Sequence, residues 1–343
     1  MKPRHSAPGV RHSTFDGRHS ETAGRHLASG IRHAIGAAIV ATALTYLHGA
    51  DGQNRKSPVV QFPAGLVRID AIVERELTSA GAVPPLTKDD FDIKIDGQSQ
   101  PVDYFSSDPA PLSLALLVDV SDSLTLASSP REFQGAMADF AALGVGLMDR
   151  GRIGAIADTL YWTSPLTPDK VALAKAANEV FDIGPQHGGG PSPIWDSIDV
   201  ASRMLAAESV WRRRALIVIT DGQATGNARG SADVANDAAA AGVSVTTITE
   251  RALTSIITYG GGSDPSKALR VMAETTGGEP YVDGFAPAPR DPARFVRSAI
   301  DALRHAYTLG FTPAAADGKI HTIDVTVKRA GLMARARRLY KGV

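Results

Sequence analysis

Asp119, Ser121 and Ser123 alternate along the run Asp119-Val120-Ser121-Asp122-Ser123. This spacing puts one carboxylate and two hydroxyls on a single tight loop. All three are hard oxygen donors, suited to Mg2+ or Mn2+, with Ca2+ as the other cation of that class. A second carboxylate follows in Thr220-Asp221-Gly222. Each stretch comes directly after an apolar run, Leu112 to Val118 in one case and Ala215 to Ile219 in the other. In an open α/β sheet, ligands bind beyond the carboxyl ends of the strands. Neighbouring central strands would bring Asp119 and Asp221 close together. Two carboxylates repel, and a divalent cation between them resolves the repulsion. Asp-x-Ser-x-Ser alone is also a loop and helix cap, and Thr-Asp-Gly alone is a turn. Their joint placement after two buried strands favours a metal site. Asp122 is expected to face solvent.

The same residues resemble the metal-ion-dependent adhesion site of the von Willebrand factor type A family. In that family a threonine from a third loop completes the site, commonly in a Gly-Gly-Thr stretch before a helix. The resemblance places Ser192 in that role, within Gly188-Gly189-Gly190-Pro191-Ser192-Pro193-Ile194-Trp195-Asp196. Serine keeps the hydroxyl and loses the methyl group, and prolines flank it on both sides. The likeness extends to Thr87-Lys88-Asp89-Asp90-Phe91 with Ile95-Asp96-Gly97, to Tyr307-Thr308-Leu309-Gly310-Phe311, and to Arg335-Ala336-Arg337-Arg338-Leu339-Tyr340. The region from about 59 to 343 thus resembles a VWFA-related domain family first noted in Acidobacteria, which has no established molecular role. The resemblance implies a cation held by Asp119, Ser121, Ser123, Ser192 and Asp221, left open on one side for a Glu or Asp of a partner protein.

Two other readings use the same residues. In one, the cation is purely structural and the domain is a scaffold in an envelope complex. In the other, a metal activates water or clamps a phosphate. Hydrolysis lacks its supporting residues: Ser121 stands where an Asp-x-Asp phosphatase has its second carboxylate. The chain also has no Gly-x-Ser-x-Gly elbow, no His-Glu-x-x-His and no phosphate loop with its lysine. An enzyme is therefore not expected, nor a small-molecule substrate.

Composition narrows the chemistry further. The chain has no cysteine, which excludes disulfides, thiolate zinc sites and cysteine nucleophiles. Lys plus Arg and Asp plus Glu number 36 each, so no net charge draws the chain to nucleic acid or anionic lipid. His187, beside the third loop, is either a tuning group or an ordinary loop histidine. Trp162 and Trp195 are expected to pack helix against sheet. Arg212-Arg213-Arg214 is expected at the solvated end of its strand.

The elements that position the site follow from hydrophobic period. From 112 to about 285, apolar runs alternate with helical stretches at 131–149, 169–181, 194–207, 231–241 and 265–276. That order predicts an α/β fold with a doubly wound, mainly parallel sheet and helices on both faces. Before it, Leu66 to Val73 and Phe91 to Gly97 alternate with period two, and Gln100 to Phe105 follows an Asp-Gly turn as the second arm of a hairpin. After it come a helix over 291–304 and alternating strands at Tyr307–Phe311 and Ile320–Val327.

The expected organisation therefore has five parts: a leader over 1–33, an apolar segment over 34–50, a β segment over 59–108, the α/β domain over 109–288, and a helix and β segment over 289–343 that pack with the first β segment. The leader repeats Arg-His every seven residues from Arg4-His5 to Arg32-His33 and lacks the apolar positions of a coiled coil. Residues 34–47 suit the apolar core of a secretory signal and are short for a membrane span. Export to the periplasm or beyond is the expectation, with membrane attachment if that segment stays uncleaved.

Overall fold

The computed structural model describes residues 62–76, 82–125, 130–250, 265–283, 291–314 and 316–342. The leader over 1–33 and the apolar segment over 34–50 lie outside the described residues. No helix among the described residues is long and apolar enough to cross a membrane.

Strands β1 (Val67–Arg75), β2 (Phe91–Ile95), β3 (Gln98–Gln100) and β4 (Tyr104–Ser106) precede the α/β block. The block itself contributes β5 (Leu112–Asp119), α1 (Pro130–Leu143), β6 (Arg150–Ile156), β7 (Leu160–Trp162), α2 (Lys170–His187), α3 (Ile194–Ala206), β8 (Arg213–Thr220), α4 (Ser231–Ala240), β9 (Val243–Glu250), α5 (Pro265–Thr276) and β10 (Pro280–Asp283). Helix α6 (Pro292–His305) and strands β11 (Tyr307–Phe311), β12 (Ile320–Val327), β13 (Leu332–Arg335) and β14 (Leu339–Lys341) follow.

The central sheet runs β10-β9-β8-β5-β6-β7, parallel throughout except for β7. Every residue of β5 is buried, as a strand covered on both faces must be. Its side chains divide by parity. Leu112, Leu114, Leu116 and Val118 meet Phe133 and Phe140 of α1, Val180 of α2 and Val296 of α6. Ala115 and Leu117 join the opposite layer with Ile198 and Leu205 of α3, Val234 of α4 and Met272 of α5. Trp162 and Trp195 pack against that second layer, helix against sheet as expected. Arg152 also stacks over Trp162, 4.0 Å from the ring centre.

The flanking strands form two four-stranded sheets, β13-β1-β11-β4 and β14-β12-β2-β3. They enclose one core containing Ile69, Phe91, Ile93, Leu309, Phe311 and Val325. Chain-distant strands pair here: β1 with β11, and β2 with β12.

Three expectations need correction. The hairpin's second arm is β3 at Gln98–Gln100, while β4 joins the other sheet beside β11. Pro101 lies at the break and supplies no N–H for the ladder. Helix α6 does not belong with the C-terminal β segment, because its Val296, Ile300 and Leu303 are part of the core under α1 and α2. Arg212 and Arg213 are not solvated but 6% and 1% exposed. Arg213 donates to the carbonyl oxygens of Leu303 and Ala306 and to Asp70, so its charge is compensated inside the protein.

Candidate metal centre

Strands β5 and β8 are direct neighbours, with Val118 paired to Ile219. The next residue of each, Asp119 and Thr220, therefore ends its strand beside the other. Thr220 is fully buried and donates its hydroxyl to Asp119 Oδ2 at 2.7 Å. Asp119 Oδ1 accepts from the Ser121 amide at 3.0 Å and the Ser121 hydroxyl at 2.6 Å. The Ser121 and Ser123 hydroxyls lie 3.1 Å apart. With the Ser121 proton committed to Asp119, this contact is donated by Ser123. Lone pairs of Ser123 are then left for an electrophile.

Asp119 is 1% exposed. Burial pushes its carboxyl up to about 6, against the pull of its Ser121 and Thr220 hydrogen bonds, and the Asp221 charge pushes the same way. Asp221 is also buried and is held in a turn by Gln223, whose amide and side chain donate to its two oxygens at 2.9 Å each. Gly222, at φ +79°, supplies the left-handed residue this turn requires. Asp122 is exposed, as expected.

The third loop is fastened to both of the others. Asp122 donates its amide to the Gly188 carbonyl at 3.0 Å. A Cβ on Gly188 would stand 2.7 Å from the Val120 carbonyl oxygen, so only glycine permits this approach. Ser192 and Thr225 exchange two bonds: the Ser192 amide to Thr225 Oγ1 at 2.8 Å, and the Thr225 amide to the Ser192 carbonyl at 2.9 Å. The N-terminus of α3 is capped across the gap by Asn227, whose Oδ1 accepts from Trp195 at 2.7 Å. In return Asp196 accepts from the Ala228 and Arg229 amides.

Ser192 is 4% exposed, and its hydroxyl is buried without a hydrogen-bond partner among the described residues. An unsatisfied buried hydroxyl is costly, and it sits on the loop that a cation at this site would engage. Among the described residues no three His, Asp or Glu side chains gather as a metal cluster. The donor set here is instead two carboxylates and several hydroxyls, which fits a hard divalent cation. His187 closes α2 and contacts Tyr161 and Asp158, with its Nδ1 3.1 Å from the Tyr161 hydroxyl. Thr220, Thr225 and Asn227 were not singled out from the sequence. Thr220 was discoverable as a hydroxyl closing an otherwise apolar strand; the other two lie in a loop without period.

No family model and no curated protein matches the chain. Solved structures do. They include conserved hypothetical protein BatB from Bacteroides thetaiotaomicron, 15% identical over 56% of this chain and 97% of that one, with a TM-score of 0.43. An aerotolerance-related membrane protein from Bacteroides fragilis is 14% identical over 56% of this chain and 98% of that one, with the same TM-score of 0.43. Proximal thread matrix protein 1 from the mussel byssus, with a zinc-occupied MIDAS motif, is 16% identical over 58% of this chain and 49% of that one, at a TM-score of 0.43. At such scores the fold is decided by the chain's own strand order and by the loops that follow β5 and β8. The fold is von Willebrand factor type A–like. In this type A–like domain the three loops meet at the carboxyl ends of the central strands, where an open α/β sheet binds its ligands.

Proposed function

We propose that the type A–like domain is a metal-dependent protein-binding module of an exported protein. Its cation is Mg2+, with Mn2+ or Ca2+ as alternatives, and its partner presents a Glu or Asp. The observation that carries this reading is the buried Ser192 hydroxyl, without a partner among the described residues, on a loop tied to those of Asp119 and Asp221. Ser121, Ser123 and Ser192 would hold the ion through neutral oxygens, and Asp119 and Asp221 would balance its charge. Asp119 has both oxygens occupied by Ser121 and Thr220, which favours action through water over direct ligation. Few anionic ligands leave a cation electrophilic, and a partner carboxylate satisfies it. Export rests on the apolar segment over 34–47.

The test is calorimetric titration of Mg2+ and Mn2+ into the full chain beside Asp119→Ala and Asp221→Ala. Binding by the parent and loss in both variants, all three sharing one circular dichroism spectrum, supports the centre. Absence of binding in the folded parent, or undiminished binding in both variants, refutes it. A partner captured in Mg2+ must then be released by EDTA.

A further inference from the structure

The opposite pole of the central sheet carries a different chemistry. A cavity of about 930 Å3 lies there between the β sheets and the helix ends. Arg68, Arg213, Arg214 and Arg337 all line it, and Asp70 is the acidic group set among them. Arg68 and Arg213 share Asp70, at 2.7 and 3.0 Å. Arg214 and Arg337 have no carboxylate within ion-pair distance among the described residues. They bond only carbonyl oxygens: Arg214 to Ala206 and Ala241 at 3.1 and 2.7 Å, and Arg337 to Ala239, Ala240 and Arg68 at 3.1, 3.2 and 2.7 Å. A Cβ built on Gly242 would stand 2.8 Å from Arg214 Nη2 and 3.2 Å from Arg337 Nη1, so both guanidiniums flank the same Cα.

Helix capping accounts for part of this arrangement. A helix C-terminus carries about half a negative charge and favours one cation. The end of α4 receives two. Arg203, Arg212, Lys341 and Asp237 also line the cavity. Arg203 pairs with Asp199, Arg212 with Glu208 and Asp237 with Arg229. Arg68, Arg213, Arg214 and Arg337 are left with Asp70, an excess of three positive charges around that carboxylate. The carbonyl ends of α3, α4 and α6 offset roughly half of that excess at about half a charge each. Burial and then the neighbouring Arg214 push the Arg337 guanidinium down to about 10. Much of the remaining wall is apolar, including Phe62, Leu66, Ile72 and Val210. The volume suits a small organic ligand and is far larger than an inorganic anion fills.

We propose that this cavity binds a small amphipathic organic anion, with its carboxylate or phosphate group on Arg214 and Arg337 and its apolar body against Phe62, Leu66 and Ile72. Guanidinium forks match both head groups. The site is independent of the metal centre, at the other end of the same strands.

Calorimetry on the full chain tests this with three 2-substituted naphthalenes: 2-naphthoate, 2-naphthyl phosphate and neutral 2-naphthalenemethanol. Both anions are expected to bind at one per chain, at least about tenfold tighter than the alcohol, and to weaken with added salt. Arg337→Gln is expected to cost the anions about tenfold or more, and Arg337→Lys less. Arg337 also caps α4, so Arg337→Gln is read only if its circular dichroism is unchanged. Ala240→Leu provides the second reading, because it narrows the cavity and removes no charge. It too is expected to weaken both anions. Equal binding of alcohol and anions overturns the proposal, as does no binding by any probe to the folded chain. Undiminished anion binding in Ala240→Leu overturns it as well.

Discussion

Two hydroxyls in the candidate metal centre look alike and have opposite consequences for stability. The Thr220 hydroxyl donates to Asp119 and accepts from the Gly222 amide at 3.0 Å. Thr220→Val strands both partners in a buried place and is expected to cost about 1–3 kcal/mol in urea unfolding, while Thr220→Ser restores most of it. The Ser192 hydroxyl has no partner to lose among the described residues. Ser192→Ala is therefore expected to leave metal-free stability unchanged, or raise it by up to about 1 kcal/mol, while weakening Mg2+ binding in the same calorimeter. A clear loss of metal-free stability in Ser192→Ala would show that this hydroxyl is already satisfied. At this scale the sequence was informative about type and poor about partnership. Asp119, Ser121 and Ser123 were legible because their donors lie within one loop. Thr220 and Thr225 act across loops, and nothing in their own stretches records the residue they meet.

Among the elements, β12 carries a pH-sensitive brace. His321 lies between Asp96, 2.7 Å from Nδ1, and Asp317, 3.1 Å from Nε2, and its ring stacks on Tyr340. Its hydrogen bonds to the two carboxylates, Asp96 first, raise its pKa above the ordinary histidine value. A raised folded pKa means the contribution is complete below about 6.5 and disappears as pH climbs through the folded value. The melting temperature of the parent is expected to fall across that interval relative to His321→Gln, and parallel curves for the two proteins would refute the brace. β12 and β2, which position His321 and Asp96, were read from their period-two patterns, because one face of each is buried in a shared core; β14, which carries Tyr340, was not read as a strand. Errors arose where period carries no information about a partner. An amphipathic α6 declares that it has an apolar face but not that α1 lies under it. Gln100 to Phe105 looks continuous, yet the chain changes sheets at Pro101. Arg212 to Arg214 reads as surface because the backbone carbonyls of strands, loops and helix ends that offset such charges leave no mark in sequence.

For the molecule as a whole, Arg213 joins the parts. It belongs to β8 of the type A–like domain, pairs with Asp70 of β1, and donates to the last carbonyls of α6. Arg213→Leu leaves those carbonyls buried without their donor and Asp70 with Arg68 alone, and is expected to cost about 3–5 kcal/mol in chemical denaturation. A loss under 1 kcal/mol would show that the domains do not depend on this junction. Asp70 supplies the matching pH signature. Burial alone would raise its pKa, but Arg68 and then Arg213 bring it down to about 2. A depressed carboxylate stabilises the fold above its unfolded value of 3.8 and loses that contribution as pH falls toward 2. Asp70→Asn is expected to flatten the acid limb of the stability curve there, by roughly 1–2 kcal/mol.

The type A–like domain leaves the β sheets after β4 and returns to them at β11, and these two strands are hydrogen-bonded neighbours, with Ser106 paired to Thr308. Both connections leave from the end of the central sheet opposite Asp119. A partner pulling on the proposed metal pole would load two covalent tethers side by side and in the same direction. The β4–β11 pair would be drawn as one and would not slide internally. The tension would pass instead to the five-residue register between β11 and β1, from Val67↔Phe311 to Ala71↔Tyr307. Under such a load that ladder would be sheared along its length, so its bonds would fail together rather than unzip one at a time, and the fold would act as a mechanical clamp behind the proposed binding face.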